Sequence, residues 1–294
     1  MKNINTNKII FGTANLASNY GLNKTKITDK ENLKYLFSFL KKKKIKYIDT
    51  AYKYKNNENI LKKINQNKFK IIVKFFANNN NSSKTQIYKK IKKTLKNLKI
   101  KNLYCLMLHN QNLSLIKTLQ IFKIFECLKK DKLIKKSGIS IYKKEQLSKI
   151  YKIYKPNVIQ APLNILDQDF LKSGWLKRIK KNNTEFHARS IFLQGLLLRK
   201  KNNLPYFFKK KKYDKVLNKY YLFLKNKNIS NLEACLTFIN KIRLVDKIVI
   251  GIDSLKNLED ILNTKLLSNI SIKSFYNLND KKKQITDPRK WPKI

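Results

Sequence analysis

The chain has 294 residues, 42% of them hydrophobic, enough to bury a sizeable core. No run approaches the roughly 18–20 apolar residues of a membrane span, and the opening MKNINTNKII lacks the apolar segment of a secretory leader, so a cytoplasmic protein is expected. The formal charge of +49 invites a polyanion partner, but it is nearly all lysine, with arginine only at positions 178, 189, 199, 243 and 289, so solvated faces and no specific nucleic-acid site are expected.

Short β-branched runs alternate with amphipathic ones. KIIFGTA (8–14) reads as a first strand, followed by a helical pattern over 30–43. KYIDTA (46–51) and a helix over 58–66 come next, then FKIIVKF (69–75), the polar loop NNNNSS (78–83) and a helix over 84–98. LYCLMLH (103–109), KSGIS (136–140) and NVIQAPL (157–163) are strands, each trailed by a helix, over 114–130, 143–153 and 171–181. EFHARSIF (185–192) precedes a long loop over 201–215 and a helical stretch over 213–242 that contains the capping box of Ser230 and Glu233. KIVIGI (247–252) and a helix over 255–263 close the series, and a polar tail from about 276 is expected to lie over the barrel.

Eight strands alternating with helices predict an α/β fold, a (β/α)₈ TIM barrel forming a single domain over 1–294. A doubly wound open sheet is the alternative, weakened by the lack of any GxGxxG turn after a strand. The cysteines Cys105, Cys127 and Cys235 are far apart and show no metal or redox spacing, so no metal is expected.

In such a barrel the C-terminal strand ends form the active face. The polar residues there, in order, are Asp49, Lys74, His109, Ser140, Gln160 and Ser190, with Tyr54 just beyond the second strand. Three ionisable groups closing three successive apolar strands point to a catalytic mouth rather than to chance.

At these residues the sequence resembles the aldo-keto reductase family. FGTANLASNYG (11–21) is similar to its opening strand and turn, and IDTAYKYKNNENIL (48–61) to its Asp-Thr-Ala…Tyr signature. VKF, LMLHN, KKSGISIY, VIQAPLNILDQ, SIFLQGLLL and IVIGIDSLKNLEDIL follow in family order, and the closing DPRKW resembles a bacterial branch. The resemblance implies reduction of an aldehyde or ketone, a sugar-related one by similarity to that branch, with NADP(H) or NAD(H). It places the catalytic tetrad on Asp49, Tyr54, Lys74 and His109.

Elementary chemistry agrees with that assignment. A phenol, with a pKa of about 10, is a poor acid at neutral pH unless a cation favours its anion. Lys74 would be that cation, Asp49 would hold it, and His109 would orient and donate to the carbonyl oxygen. Glu58 would start the next helix, where its charge suits the dipole.

For the cofactor, the resemblance assigns Ser140 and Gln160 to the nicotinamide carboxamide. Arg189 falls where an aromatic commonly stacks, and Ser190, Gln194 and Gly195 near the pyrophosphate. The turn GIDSLKN (251–257) would meet the adenosine end through Gly251, Asp253, Ser254 and Lys256. Asp253 would repel a 2′-phosphate or accept from a ribose hydroxyl, whereas Lys256 would attract the phosphate, so both dinucleotides stand.

Lys55 replaces the signature glycine, Ile141 replaces an expected asparagine, and Asp253 stands where a basic pair is usual. These departures motivate a second reading, a catalytically silent barrel acting as a dinucleotide-sensing or interaction module. His187, Cys105 and Trp175 read as packing residues, and Trp291 as packing or mouth lining. The expected partner is a small carbonyl substrate; oligomeric state is not legible.

Overall fold

The computed structural model describes residues 2–17, 30–54, 69–78, 82–109 and 113–292. Eight strands pair in parallel and in sequence order, and the eighth returns to the first, so the sheet closes. They are β1 (Ile9–Gly12), β2 (Tyr47–Ala51), β3 (Lys70–Phe75), β4 (Leu103–Leu108), β5 (Ile134–Ser140), β6 (Val158–Pro162), β7 (Glu185–Arg189) and β8 (Lys247–Gly251). The predicted α/β barrel is the observed fold.

Both faces of the strands are covered, which explains why they read as near-continuous apolar runs rather than alternating ones. All six residues of β4 are buried. Ile10, Ile72, Tyr104, Cys105, Met107 and Val158 fill one cluster inside the ring, and the rest of the core joins the strands to the surrounding helices. Inside, Gly138 of β5 sits where a Cβ would come within 2.9 Å of both Cys105 Sγ and Met107 Cγ. The absent side chain there is a packing requirement.

Apart from single helical turns at Ala14–Ala17 and Asp169–Lys172, the helices among the described residues are α1 (Lys30–Lys42), α2 (Lys84–Leu98), α3 (Leu115–Lys130), α4 (Lys144–Ile153), α5 (Trp175–Lys180), α6 (Lys211–Lys227), α7 (Asn231–Lys241) and α8 (Leu255–Asn263). No helix among the described residues is long and apolar enough to cross a membrane.

Three expectations need correction. The helix over 213–242 is two helices: Asn228 turns left-handed at φ 49° and ends α6, and the Ser230–Glu233 box starts α7. The loop over 201–215 holds short 3-10 turns and gives way to α6 already at Lys211. The helix over 171–181 is broken at Gly174, φ 76°, into a single turn (Asp169–Lys172) and α5. Strand boundaries also shift: β5 begins at Ile134, and β7 stops at Arg189, leaving Ser190 in a turn at φ 57°. Lys55, Glu58 and the helix expected over 58–66 lie outside the described residues.

The tail packs where the polar composition alone gave no anchor. Lys283 bridges Asp167 and Asp169 at 2.7 and 3.0 Å, Asp280 N–H donates to the Leu166 carbonyl, and Trp291 is buried against Phe208. Trp175 and Trp291 are both packing residues, as are Cys105 and His187, whose Nε2 meets Glu185 at 3.1 Å.

Candidate active site

Parallel register sets the site. Asp49 pairs across from Gly12 and Ile72, and Lys74 from Ala51 and Met107, so both side chains come from the same end of the ring. They are 2% and 7% exposed, and Lys74 Nζ bonds directly to Asp49 Oδ1. Gln160 Nε2, on β6, donates to Asp49 Oδ2 at 2.9 Å. The Asp49 backbone carbonyl accepts from both Thr13 N–H and Thr13 Oγ, at 3.0 and 3.1 Å. Each carboxylate oxygen is therefore held, as a buried anion requires.

Burial works against the Lys74 charge, but the Asp49 carboxylate, helped by Tyr54, outweighs it and raises the lysine above its usual value. The ammonium lies 5.9 Å from the centroid of the Tyr54 ring. Tyr54 is brought there by the turn that follows β2, closed by its N–H to the Ala51 carbonyl at 3.0 Å.

His109 follows β4 directly, its N–H donating to the Phe75 carbonyl at 2.8 Å. Burial first, then the charges of Lys74 and Arg189, push its pKa down to about 4, so the imidazole is neutral at neutral pH. Its Nδ1 faces the Ser140 carbonyl at a long 3.4 Å. A tautomer that donates there presents a lone pair at Nε2; the other presents Nε2–H at the cost of that long contact.

Arg189 ends β7. Its guanidinium donates to the Ile141 carbonyl at 3.0 Å and to Ser190 Oγ at 3.3 Å, and lies 4.1 Å from the Tyr142 ring centroid. No carboxylate pairs with it among the described residues. Beyond it Ser190, Leu193, Gln194 and Gly195 all have positive φ, a compact run of left-handed backbone of the kind that gathers at ligand sites.

These residues line one cleft of about 640 Å³, which runs from Asp49, Tyr54, Lys74 and His109 past Ser140, Arg189, Ser190, Gln194 and Gly195 to Gly251 and Asp253. Gln160 touches the site through Asp49 instead. Ser254 caps α8, accepting from Asn257 N–H at 3.1 Å, and Lys256 is exposed; neither lines the cleft.

The family model for the aldo/keto reductase family matches residues 8–283. The chain belongs to the aldo/keto reductase family. Its members are oxidoreductases acting on carbonyl compounds with NAD(P)H. Among solved structures, aldo-keto reductase AKR11C1 from Bacillus halodurans (holo form) is 19% identical, with 92% of this chain and 91% of that chain covered and a TM-score of 0.75. The glycerol dehydrogenase AKR11B4 from Gluconobacter oxydans is 16% identical over 98% and 94%, with a TM-score of 0.69. A thermostable aldo-keto reductase, Tm1743, is 19% identical over 94% and 95%, with a TM-score of 0.65. No curated protein matches the sequence.

The cleft of this aldo/keto reductase suits a nicotinamide dinucleotide. Ser140 Oγ and Gln160 Oε1 are buried and have no hydrogen-bond partner among the described residues. A carboxamide brings a donor and an acceptor to the Ser140 hydroxyl, which lines the cleft, while Gln160 lies one layer below it. Sequence reasoning missed Asn15, Tyr142 and Arg289 as contributors. Asn15 and Tyr142 stand in segments quoted for the family resemblance, and Arg289 in the closing DPRKW. No residue type marks them, since their roles depend on the tail and on the β1 turn meeting β8.

Proposed function

We propose that this reductase converts an aldehyde or ketone to an alcohol, with Tyr54 as the proton donor. The observation that carries the reading is the buried Asp49–Lys74 pair beside Tyr54, at the same cleft end as a neutral His109. The bound nicotinamide supplies the hydride.

Tyr54 gives its phenolic proton to the carbonyl oxygen as negative charge develops there. Lys74 stabilises the phenolate left behind, and Asp49 keeps Lys74 charged and fixed in place. His109 orients the carbonyl through Nε2–H, in the tautomer that gives up the 3.4 Å contact to Ser140. Ser140 and Gln160 would hold the nicotinamide by its carboxamide. Ser190, Gln194 and Gly195 would flank the pyrophosphate.

A sugar-related substrate fits the polar mouth, where Tyr142, Arg189 and Asn231 face the cleft. The structural likeness to a glycerol dehydrogenase, whose name describes a polyhydroxylated substrate, points the same way.

The test is nicotinamide oxidation against a panel of aldehydes that includes aldoses. Tyr54→Phe is expected to lower kcat by about 10²–10⁴-fold while the dinucleotide still binds. Undiminished turnover in that variant removes Tyr54 from the acid role. Turnover absent in the parent protein, with dinucleotide bound, favours the silent barrel.

A further inference from the structure

Arg189 lines the reaction end of the cleft as a part-buried cation without a counter-charge. Its guanidinium leans across to the turn after β5, where the Ile141 carbonyl accepts from Nη2 and the Tyr142 ring lies alongside. Its partners are neutral: that carbonyl and Ser190 Oγ. Its Nε is buried with no hydrogen-bond partner among the described residues, and none of their carboxylates forms an ion pair with it. A guanidinium drawn out of water in this way is costly until an anion meets it.

The position of this charge matters as much as its lack of a partner. It is felt at His109, whose pKa is pushed down first by burial, then by Lys74, then by Arg189. The hydrogen bond to Ile141 sets it one residue beyond Ser140, whose carbonyl faces the His109 ring. Its neighbours in charge are answered already: Lys74 by Asp49, and Arg289 by Asp287. A lone guanidinium matches a singly charged carboxylate in charge and, through its parallel N–H groups, in shape. A phosphate dianion would leave half of its charge unanswered there.

We infer that the substrate carries a carboxylate, bound by Arg189 while its carbonyl lies between Tyr54 and His109. The substrate class is then an oxo acid or an acidic sugar rather than a neutral aldose. The inference rests on the carbonyl-reductase reading of the cleft and narrows it.

Nicotinamide oxidation is compared within pairs that differ in one charged end: succinic semialdehyde against butanal, and a hexuronic acid against its hexose. Glyceraldehyde phosphate against glyceraldehyde is the phosphate arm. The salt is set near 0.15 M, where a screening length of about 8 Å suppresses the chain's overall positive field. Each acid is expected to show a kcat/KM about tenfold or more above its neutral partner, carried by KM. Arg189→Gln keeps hydrogen-bonding capacity and removes the charge, so that ratio should collapse. Arg189→Lys keeps the charge without the fork, should retain part of the ratio, and carries the test if the glutamine variant does not fold. Calorimetric binding of the hydroxy acid and alcohol products to the full chain with oxidised dinucleotide reads the same contact without turnover.

Equal kcat/KM within the pairs, or a phosphorylated aldehyde preferred to both acids, overturns the inference and leaves the reductase reading standing. An acid preference unchanged in Arg189→Gln does the same, and a loss of dinucleotide affinity in that variant would then give Arg189 to the cofactor. Neither turnover nor binding of any of these compounds overturns both.

Discussion

Arg289, in the C-terminal tail, places its guanidinium 3.9 Å from the centroid of the Tyr142 ring, and Arg189 at the end of β7 lies 4.1 Å from the same ring. Asp287 fixes Arg289 through contacts of 2.8 and 2.7 Å to Nε and Nη2. The tail thus supports a ring that lines the cleft and lies 6.3 Å from the His109 ring.

Removing that support should loosen substrate binding more than chemistry. Arg289→Ala is expected to raise KM for the carbonyl substrate about fivefold, the worth of a partly exposed cation–π contact of about 1 kcal/mol, with kcat nearly unchanged. Arg289→Lys should recover part of the loss. Steady-state kinetics on the three proteins checks this.

Breaking the Asp49–Lys74 pair on one side should cost more stability than removing both charges. Asp49→Asn leaves a buried ammonium without its carboxylate, and Lys74→Met leaves the reverse, each costing about 3–5 kcal/mol. In Asp49→Asn with Lys74→Met the Asn still accepts from Gln160, so the double variant should be less destabilised than the sum and remain inactive. Urea unfolding of all four proteins measures the coupling.

Both histidines should make the fold weaken in mild acid. Burial, then Lys74 and Arg189, hold His109 at about 4 against an ordinary 6.5, and burial also lowers His187. Between those values the unfolded chain binds more protons than the folded one, so stability falls as pH drops from about 6.5 toward 4 and is flat with respect to these groups above it. Urea midpoints across that window should show the slope, and His109→Asn should reduce it, leaving the part that belongs to His187.

Gly138→Ala should be destabilising although alanine suits a strand better. The added Cβ would meet Cys105 Sγ and Met107 Cγ at 2.9 Å and the Val158 carbonyl at 3.1 Å. The methionine can shift, but the carbonyl belongs to a neighbouring strand, so the cost is about 1–3 kcal/mol. A lower Tm, with unchanged dinucleotide affinity, is the expected result.

Strand identity and the ionisable groups at the strand ends are legible because a parallel barrel buries both strand faces, so an aspartate, a lysine or a histidine at a strand end stands out against apolar neighbours. Ile191 and Phe192 extend the apolar run of β7 past Ser190 and so hide its end; the backbone turns left-handed there instead. The break at Asn228 was hidden for a similar reason, since helical periodicity resumes after it with little change in composition. Lys256 shows the limit most plainly. Charge can be counted along a sequence, but whether a lysine on an exposed helical turn faces a cleft depends on the turn that precedes it.

Asp49 stands on β2 and Gln160 on β6, on opposite sides of the ring, and the bond between them spans its bore. Bonded also to Lys74, the carboxylate is a tie-rod joining β2 to β6, staves that the sheet ladder alone connects only through the strands between them. A barrel that springs open at a seam must slacken that tie, and Tyr54, the proposed proton donor, loses its cation while the helices are still intact. Turnover would then act as a gauge of ring closure, failing ahead of helical signal on warming.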